Sequence, residues 1–427
     1  MSGYTRRDVL KAAGSVGILA ASSSPFSAFA SSGVLGKIDP KIHMHKSYNM
    51  NALPSGTVIN ESNYKNFPEL EYFLPGVLFS RLKRGATVHD MPFPITIVPT
   101  RELRFSEDEQ KADKANLGKV KLSPNNDKLI NYAAGTPFPE PKNIHEVSWN
   151  FSRRRNWGDS SKYYIYFIVI DKLNRRKDVA FTYYQKPFVN RVTLPPVPSY
   201  SNTDVDWKAT TVFTKPYDAA GFAILRVRYI DFEKNDDSWA YMPAIRRLRR
   251  FTGADVQDPL FGTDVNMDDY ANFEQKIDYK NMYPESIELG KYLLPTSYSN
   301  GFDAMKIPFD GKFINLPVEL RKYYKLTYKC TDPNYMYGKR VMYIDVDNSN
   351  ASYGEFFDQK GKIYRTWRVS NYWTENSERS WEGIEVLDWA NRSKTFILFN
   401  SEPTKAPYNL VYSDSVFTTE FLKQTTR

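Results

Sequence analysis

The chain has 427 residues, with 58 Lys and Arg against 49 Asp and Glu, a formal charge of +9, and aromatic residues make up 15% of it. So many aromatics exclude a wholly disordered chain, and a mean hydropathy of -0.55 excludes a polytopic membrane protein. One cysteine excludes a disulfide framework or a cysteine-built metal cluster, and four histidines leave little material for a metal enzyme.

The first thirty residues read as an address. Arg6 and Arg7 precede a modestly apolar run from Ala12 to Ala21, the pattern of a twin-arginine export signal. Ala28 and Ala30 flank Phe29 as an A-x-A cleavage site, so cleavage is expected after Ala30. Loss of this segment takes away Arg6, Arg7, Lys11 and Asp8 and leaves a charge of +7. Cys330 lies deep in the chain, so no N-terminal lipid anchor is expected, and the product should reside in the periplasm.

Residues 31–140 read as an N-terminal helical and irregular region. Pro68 and Pro75 divide residues 60–84 into two short helices. Residues 92–101 read as a strand bounded by prolines, 104–118 as a solvated loop or helix, and 132–143 as a turn region.

From 141 to 427 the pattern is that of an antiparallel β domain. Strands are expected at 162–171, 178–188, 208–218, 222–232, 238–251, 323–330, 339–347, 362–370 and 394–400. In 222–232, Leu225, Val227 and Tyr229 share one face and Arg226 and Arg228 the other, which suggests one buried and one wet face. No repeat of fixed period is visible, which excludes a propeller or solenoid.

Chemistry-bearing motifs are few. His43 and His45 would share one side of a strand without a carboxylate or cysteine partner. His89–Asp90 and His145–Glu146 are neighbours and not positioned dyads. Nucleophile-elbow, zinc-protease, phosphate-loop and dinucleotide fingerprints are all missing. The reading is therefore a non-enzyme with no metal, no cofactor and no nucleic-acid partner. Arg246, Arg247, Arg249 and Arg250 read either as a headgroup or docking patch, or as partners of Asp264, Asp268 and Asp269. The aromatic strands read either as a large core or as the lining of an apolar cavity. Cavity candidates are Tyr164, Tyr166, Leu225, Val227, Tyr229, Trp239, Tyr241, Met342 and Trp367.

Several segments together resemble the bacterial periplasmic family known as domain of unknown function 1329, a relative of the LolA-like lipoprotein-sorting fold. They are FLPGVLFSRLKRG (73–85), VPTRELRF (98–105), NYAAGTPFPEP (131–141), SWN (148–150) and RRRNWGD (153–159). DSWAYMPAIRRLRRF (237–251), DPLFGTDVNMDDYANFEQK (258–276), YGKRVMYIDVDN (337–348) and FDQKGKIYRTWR (357–368) follow in order. The resemblance implies a mainly β fold with some α: a large curved antiparallel sheet, an incomplete barrel, with helices covering its concave face. Residues 31–140 would wrap that sheet. It further implies a carrier or accessory protein for a lipid or other amphipathic molecule. Such a protein would touch membranes transiently and work with an inner-membrane exporter of the resistance-nodulation-division type and an outer-membrane protein. The alternative is a periplasmic structural or assembly factor that binds a protein or polysaccharide.

Overall fold

The computed structural model describes residues 53–83, 94–251, 257–270, 273–274, 282–295, 316–373, 379–400 and 408–425. The expected export signal, His43, His45 and His89 lie outside the described residues.

The described chain begins with strand β1 (Val58–Ile59), helix α1 (Leu70–Phe73), helix α2 (Gly76–Lys83) and β2 (Ile95–Ile97). Two helices and a strand match the proline-divided pattern. Helix α3 (Glu107–Asn116) follows, started by a capping box in which Ser106 and Glu109 satisfy each other's backbone N–H groups. A small hairpin, β3 (Lys121–Leu122) with β4 (Leu129–Ile130), leads to helix α4 (Ile144–Ser152). The Asn143 side chain caps α4 by accepting from the N–H groups of His145 and Glu146, each at 3.0 Å.

Two antiparallel meanders make the rest. The first contains β5 (Ser161–Ile170), β6 (Arg176–Pro187), β7 (Val205–Lys215), β8 (Ala223–Tyr229), β9 (Asp237–Met242) and β10 (Arg247–Phe251). The second contains β11 (Met282–Leu294), β12 (Leu316–Cys330), β13 (Lys339–Asp345), β14 (Ala351–Phe357), β15 (Ile363–Trp373), β16 (Arg379–Asp388) and β17 (Ser393–Asn400). A short C-terminal helix, α5 (Thr419–Gln424), closes the described chain. The last strand of the second meander pairs with the first strand of the first, Lys394 opposite Ile170 and Asn400 opposite Tyr164. One large open sheet results, in the order β1-β2-β12-β13-β14-β15-β16-β17-β5-β6-β7-β8-β9-β10, with β11 also on β12. Only β2 on β12 is parallel among the described pairs, so the architecture is a mainly antiparallel β sheet with few helices.

Residues 238–251 are a hairpin and not one strand. Pro243–Ile245 make a 3-10 turn and Arg246 takes a left-handed φ of 52°, so the chain reverses before Arg247. A proline inside the run removes a ladder N–H and favours such a break.

Both faces of the sheet are covered. One core runs over the inner face from Trp207 on β7 to Met282 on β11, and includes Ile144, Val147 and Phe151 of α4. Residues as far apart in strand order as these share a core because the sheet curls around them. Val265, Tyr270 and Phe273 join it, so the described residues of 257–274 are a second cover beside α4. On the outer face, α1 and α2 pack Leu70, Phe73, Leu78 and Leu82 against Tyr323, Tyr343 and Tyr353. Helix α5 packs Leu422, with Phe417, against Leu225, Val227 and Tyr241. This double coverage corrects the expected wet face of β8: Arg226 and Arg228 are 5% and 7% exposed.

Candidate functional site

The inner ends of β5 to β8 and the segment 257–274 enclose an apolar pocket. Its walls are Phe167, Val179, Phe181, Phe213 and Ile224 of the sheet and Leu260, Phe261 and Tyr270 of the cover. Strand alternation explains the lining. On β5 and β6 the odd-numbered residues Phe167, Val179 and Phe181 face inward, and the even-numbered neighbours do not. The cavity left between them is about 40 Å³. That is well under the ~150 Å³ that holds a benzene molecule.

Phe261 packs across the pocket. Its ring lies 4.0 Å from Phe213 and 5.0 Å from Phe222 by centroid. Its backbone sits at φ 49°, ψ 35°. A left-handed conformation costs a side-chain-bearing residue about 1–2 kcal/mol, so packing of the ring holds this turn in place. The Lys177 ammonium donates to the Phe261 carbonyl and ties the turn to β6.

Arg226 and Glu274 also line the pocket, and they belong to a buried charge layer. Arg226 and Arg228 both reach Asp236, at 2.7 Å and 3.0 Å. Arg226 also lies 3.6 Å from Glu274. Both guanidinium groups stack over Trp207, at 5.1 Å and 4.8 Å from its centroid. Burial raises the pKa of Glu274 above the usual carboxylate range, although these arginines oppose the shift.

Further along, the cover is fastened to the sheet by buried ion pairs and hydrogen bonds. Asp269 meets Arg340 and Arg365, each at 3.0 Å. Tyr335 donates to Asp268 at 2.8 Å, Thr395 donates to Asp264 at 2.8 Å, and Ser393 also donates to Asp264. Desolvation raises the pKa of both Asp264 and Asp268. These three carboxylates are engaged in the core and not with the arginine cluster, which removes the expected pairing. In that cluster the described ion pair is Arg250 with Asp237. Arg246, Arg247, Arg249 and Arg250 are all exposed.

The other candidate residues divide between the faces. Met342 and Trp367 lie in the inner core and are fully buried. Tyr166 packs with Ile168, Ile170, Phe396 and Leu398 on the outer face, and Tyr164 shares its side of β5. Leu225, Val227, Tyr229, Trp239 and Tyr241 pack under α5 on the outer face. None of the nine is among the pocket-lining side chains. The pocket draws instead on the alternate residues of the same strands, and on Leu260, Phe261 and Tyr270. Nothing in local periodicity marks which face of a strand buried on both sides meets the cover.

Among the described residues no group of His, Cys, Asp and Glu is arranged to hold a metal ion. Cys330 is buried. His145 is buried at the start of α4, 6.0 Å from the Tyr283 ring, and burial lowers its pKa. Among the described residues no helix is long and apolar enough to cross a membrane.

The family described as protein of unknown function DUF1329 matches residues 59–423, and the chain belongs to it. An uncharacterized protein of Pseudomonas aeruginosa is 24% identical over 334 residues, which is 74% of this chain and 70% of that protein. A crystal structure of a DUF1329 family protein from Desulfovibrio piger is similar at a TM-score of 0.47 and 15% identity, covering 65% of this chain and 97% of that one. A LolA superfamily protein from Nitrosomonas europaea is similar at a TM-score of 0.40 and 16% identity, covering 65% and 98%.

Proposed function

We propose that this protein is a non-enzymatic periplasmic carrier that binds a lipid or other amphipathic molecule beneath the 257–274 cover. The observation that carries this reading is the apolar pocket between β5–β8 and Phe261. An acyl chain gains about 0.8 kcal/mol for each CH₂ removed from water, so a carrier needs a dry wall of matching length. The aromatic inner face supplies such a wall once the cover lifts. The charge layer of Arg226, Arg228, Asp236 and Glu274 sets its far end, where a polar headgroup would be met. The twin-arginine pattern at Arg6 and Arg7 supports export, and release would follow from a partner that favours the lifted cover.

The test is native mass spectrometry of the exported protein, with lipid extraction from the same sample. A stoichiometric lipid adduct is expected. Protein free of lipid that also takes up no fluorescent fatty acid would overturn the reading. A stable protein or polysaccharide partner recovered in place of lipid would turn the assignment to an assembly factor.

A further inference from the structure

The three hairpins of the first meander turn at one end of the sheet. The β5–β6 tip is 171–175, the β7–β8 tip 216–222 and the β9–β10 tip 243–246. Pairing of Ala180 with Lys215, Val212 with Ala223 and Ala223 with Tyr241 fixes all three tips on the same rim. Neighbouring tips are two strands apart, roughly 10 Å across the sheet, and the β5–β6 tip projects a further four residues, roughly 13 Å, beyond the level of Lys215. Each tip carries a large apolar side chain aimed at water: Leu173 is 63% exposed, Tyr217 97% and Ile245 38%. Scattered exposed apolar residues need no explanation, but three on successive tips of one rim do.

Cations flank each of them. Lys172 stands beside Leu173, Lys215 beside Tyr217, and Arg246 and Arg247 beside Ile245. The carboxylates of the first tip are engaged, Asp171 by Arg175 at 2.6 Å and Asp178 by Arg176 at 2.7 Å. Asp218 is the exposed carboxylate on the second tip. Four pocket-lining residues, Phe167, Val179, Phe213 and Ile224, lie within a few residues of the same turns.

We propose that this rim docks the protein on an anionic lipid bilayer, with Leu173, Tyr217 and Ile245 entering the interface and the flanking lysines and arginines meeting lipid phosphates. The proposal rests on the carrier reading, since the docked rim brings the pocket-bearing end of the sheet to the membrane. An apolar knob ringed by basic groups suits the bilayer interface, where the ring of Tyr217 finds both an apolar and a polar layer. Each cation near an anionic surface is worth about fivefold in partitioning.

The test is co-sedimentation of the full chain with vesicles of phosphatidylcholine alone and of phosphatidylcholine mixed with phosphatidylglycerol. Binding to the mixed vesicles only, weakened by salt, is expected. Lys172→Gln with Lys215→Gln should lower partitioning about 25-fold, and Leu173→Gln with Tyr217→Gln at least tenfold. Arg246→Gly removes a charge and suits the left-handed turn, and should cost about fivefold without loss of stability. A Tyr217→Trp reporter should shift its emission to the blue on mixed vesicles. Equal binding of wild type and these surface variants, or equal binding to both vesicle types, would overturn the proposal. The lipid content of the same preparations reads the carrier function separately. Lipid-loaded protein that ignores vesicles sinks the docking rim alone, and vesicle binding by lipid-free protein leaves the rim standing without the carrier.

Discussion

Arg340 Nη2 lies 3.0 Å from Asp269 Oδ1, and neither side chain has any exposure to solvent. Arg340 comes from β13 and Asp269 from the cover, so this pair rivets one to the other. Three aromatic rings, Phe273, Tyr337 and Phe356, lie within 4.7 Å of the same guanidinium. Asp269→Asn should cost about 3–5 kcal/mol, since two buried guanidinium groups lose their counter-charge. Urea unfolding measures this. A loss under 1 kcal/mol would mean that the rivet is not a structural fastening.

Phe261→Gly should open the pocket. Glycine accepts the left-handed backbone without strain, so the turn survives while the ring is lost. Binding of an apolar fluorescent dye is expected to rise severalfold, with a modest fall in melting temperature. Unchanged dye binding would show that Phe261 does not gate the space behind it.

Position along the strand should separate stability from binding. Leu225→Ala and Phe181→Ala each remove a buried side chain and should each cost about 2–5 kcal/mol. Leu225 lies under α5 on the outer face, and Phe181 lines the pocket. Lipid occupancy should change for Phe181→Ala and stay as in wild type for Leu225→Ala. The reverse pattern would place the binding surface on the outer face.

Stability should fall between about pH 4.5 and 7 through Glu355. Burial on β14 raises its carboxyl from 4.5 to about 7, against the pull of the Val77 N–H at the start of α2. In that interval the folded chain keeps a proton that the unfolded chain has released. Rising pH therefore destabilises the fold, by a total of about 3 kcal/mol once pH 7 is passed. Denaturation midpoints across this range should drop for wild type and flatten for Glu355→Gln. Parallel curves for the two proteins would exclude Glu355 as the source.

Strand positions were largely legible in the sequence because β-branched and aromatic runs end at Asn, Asp and Gly turns. Residues 162–171 and 178–188 correspond to β5 and β6 within two residues at each end. Three strands of the second meander escaped, at Met282–Leu294, Ala351–Phe357 and Arg379–Asp388. The second reads ASYGEFF, short and broken by Gly354, and the third carries Glu382, Gly383 and Glu385 in place of an apolar run. Helix α4 was hidden in a region that otherwise signals strand.

Facing was harder than position. On β5 and β8 both faces are apolar or carry groups that become buried, so alternation gives two equivalent answers. The face of Arg226 and Arg228 looked wet because charged side chains usually are. Burial is possible here only because Asp236, Glu274 and Trp207 come from other parts of the chain. A sequence-local pattern cannot contain that information.

The pairing of β17 with β5 has a consequence for synthesis. Residues 394–400 complete hydrogen bonds to residues 164–170, some 230 positions earlier, and they lie in the middle of the strand order rather than at its edge. The first meander can form its hairpins as it leaves the ribosome, but β5 keeps an open ladder until nearly the whole chain has been made. A nascent protein halted before residue 394 therefore carries a raw internal seam, ready to pair with another unfinished copy.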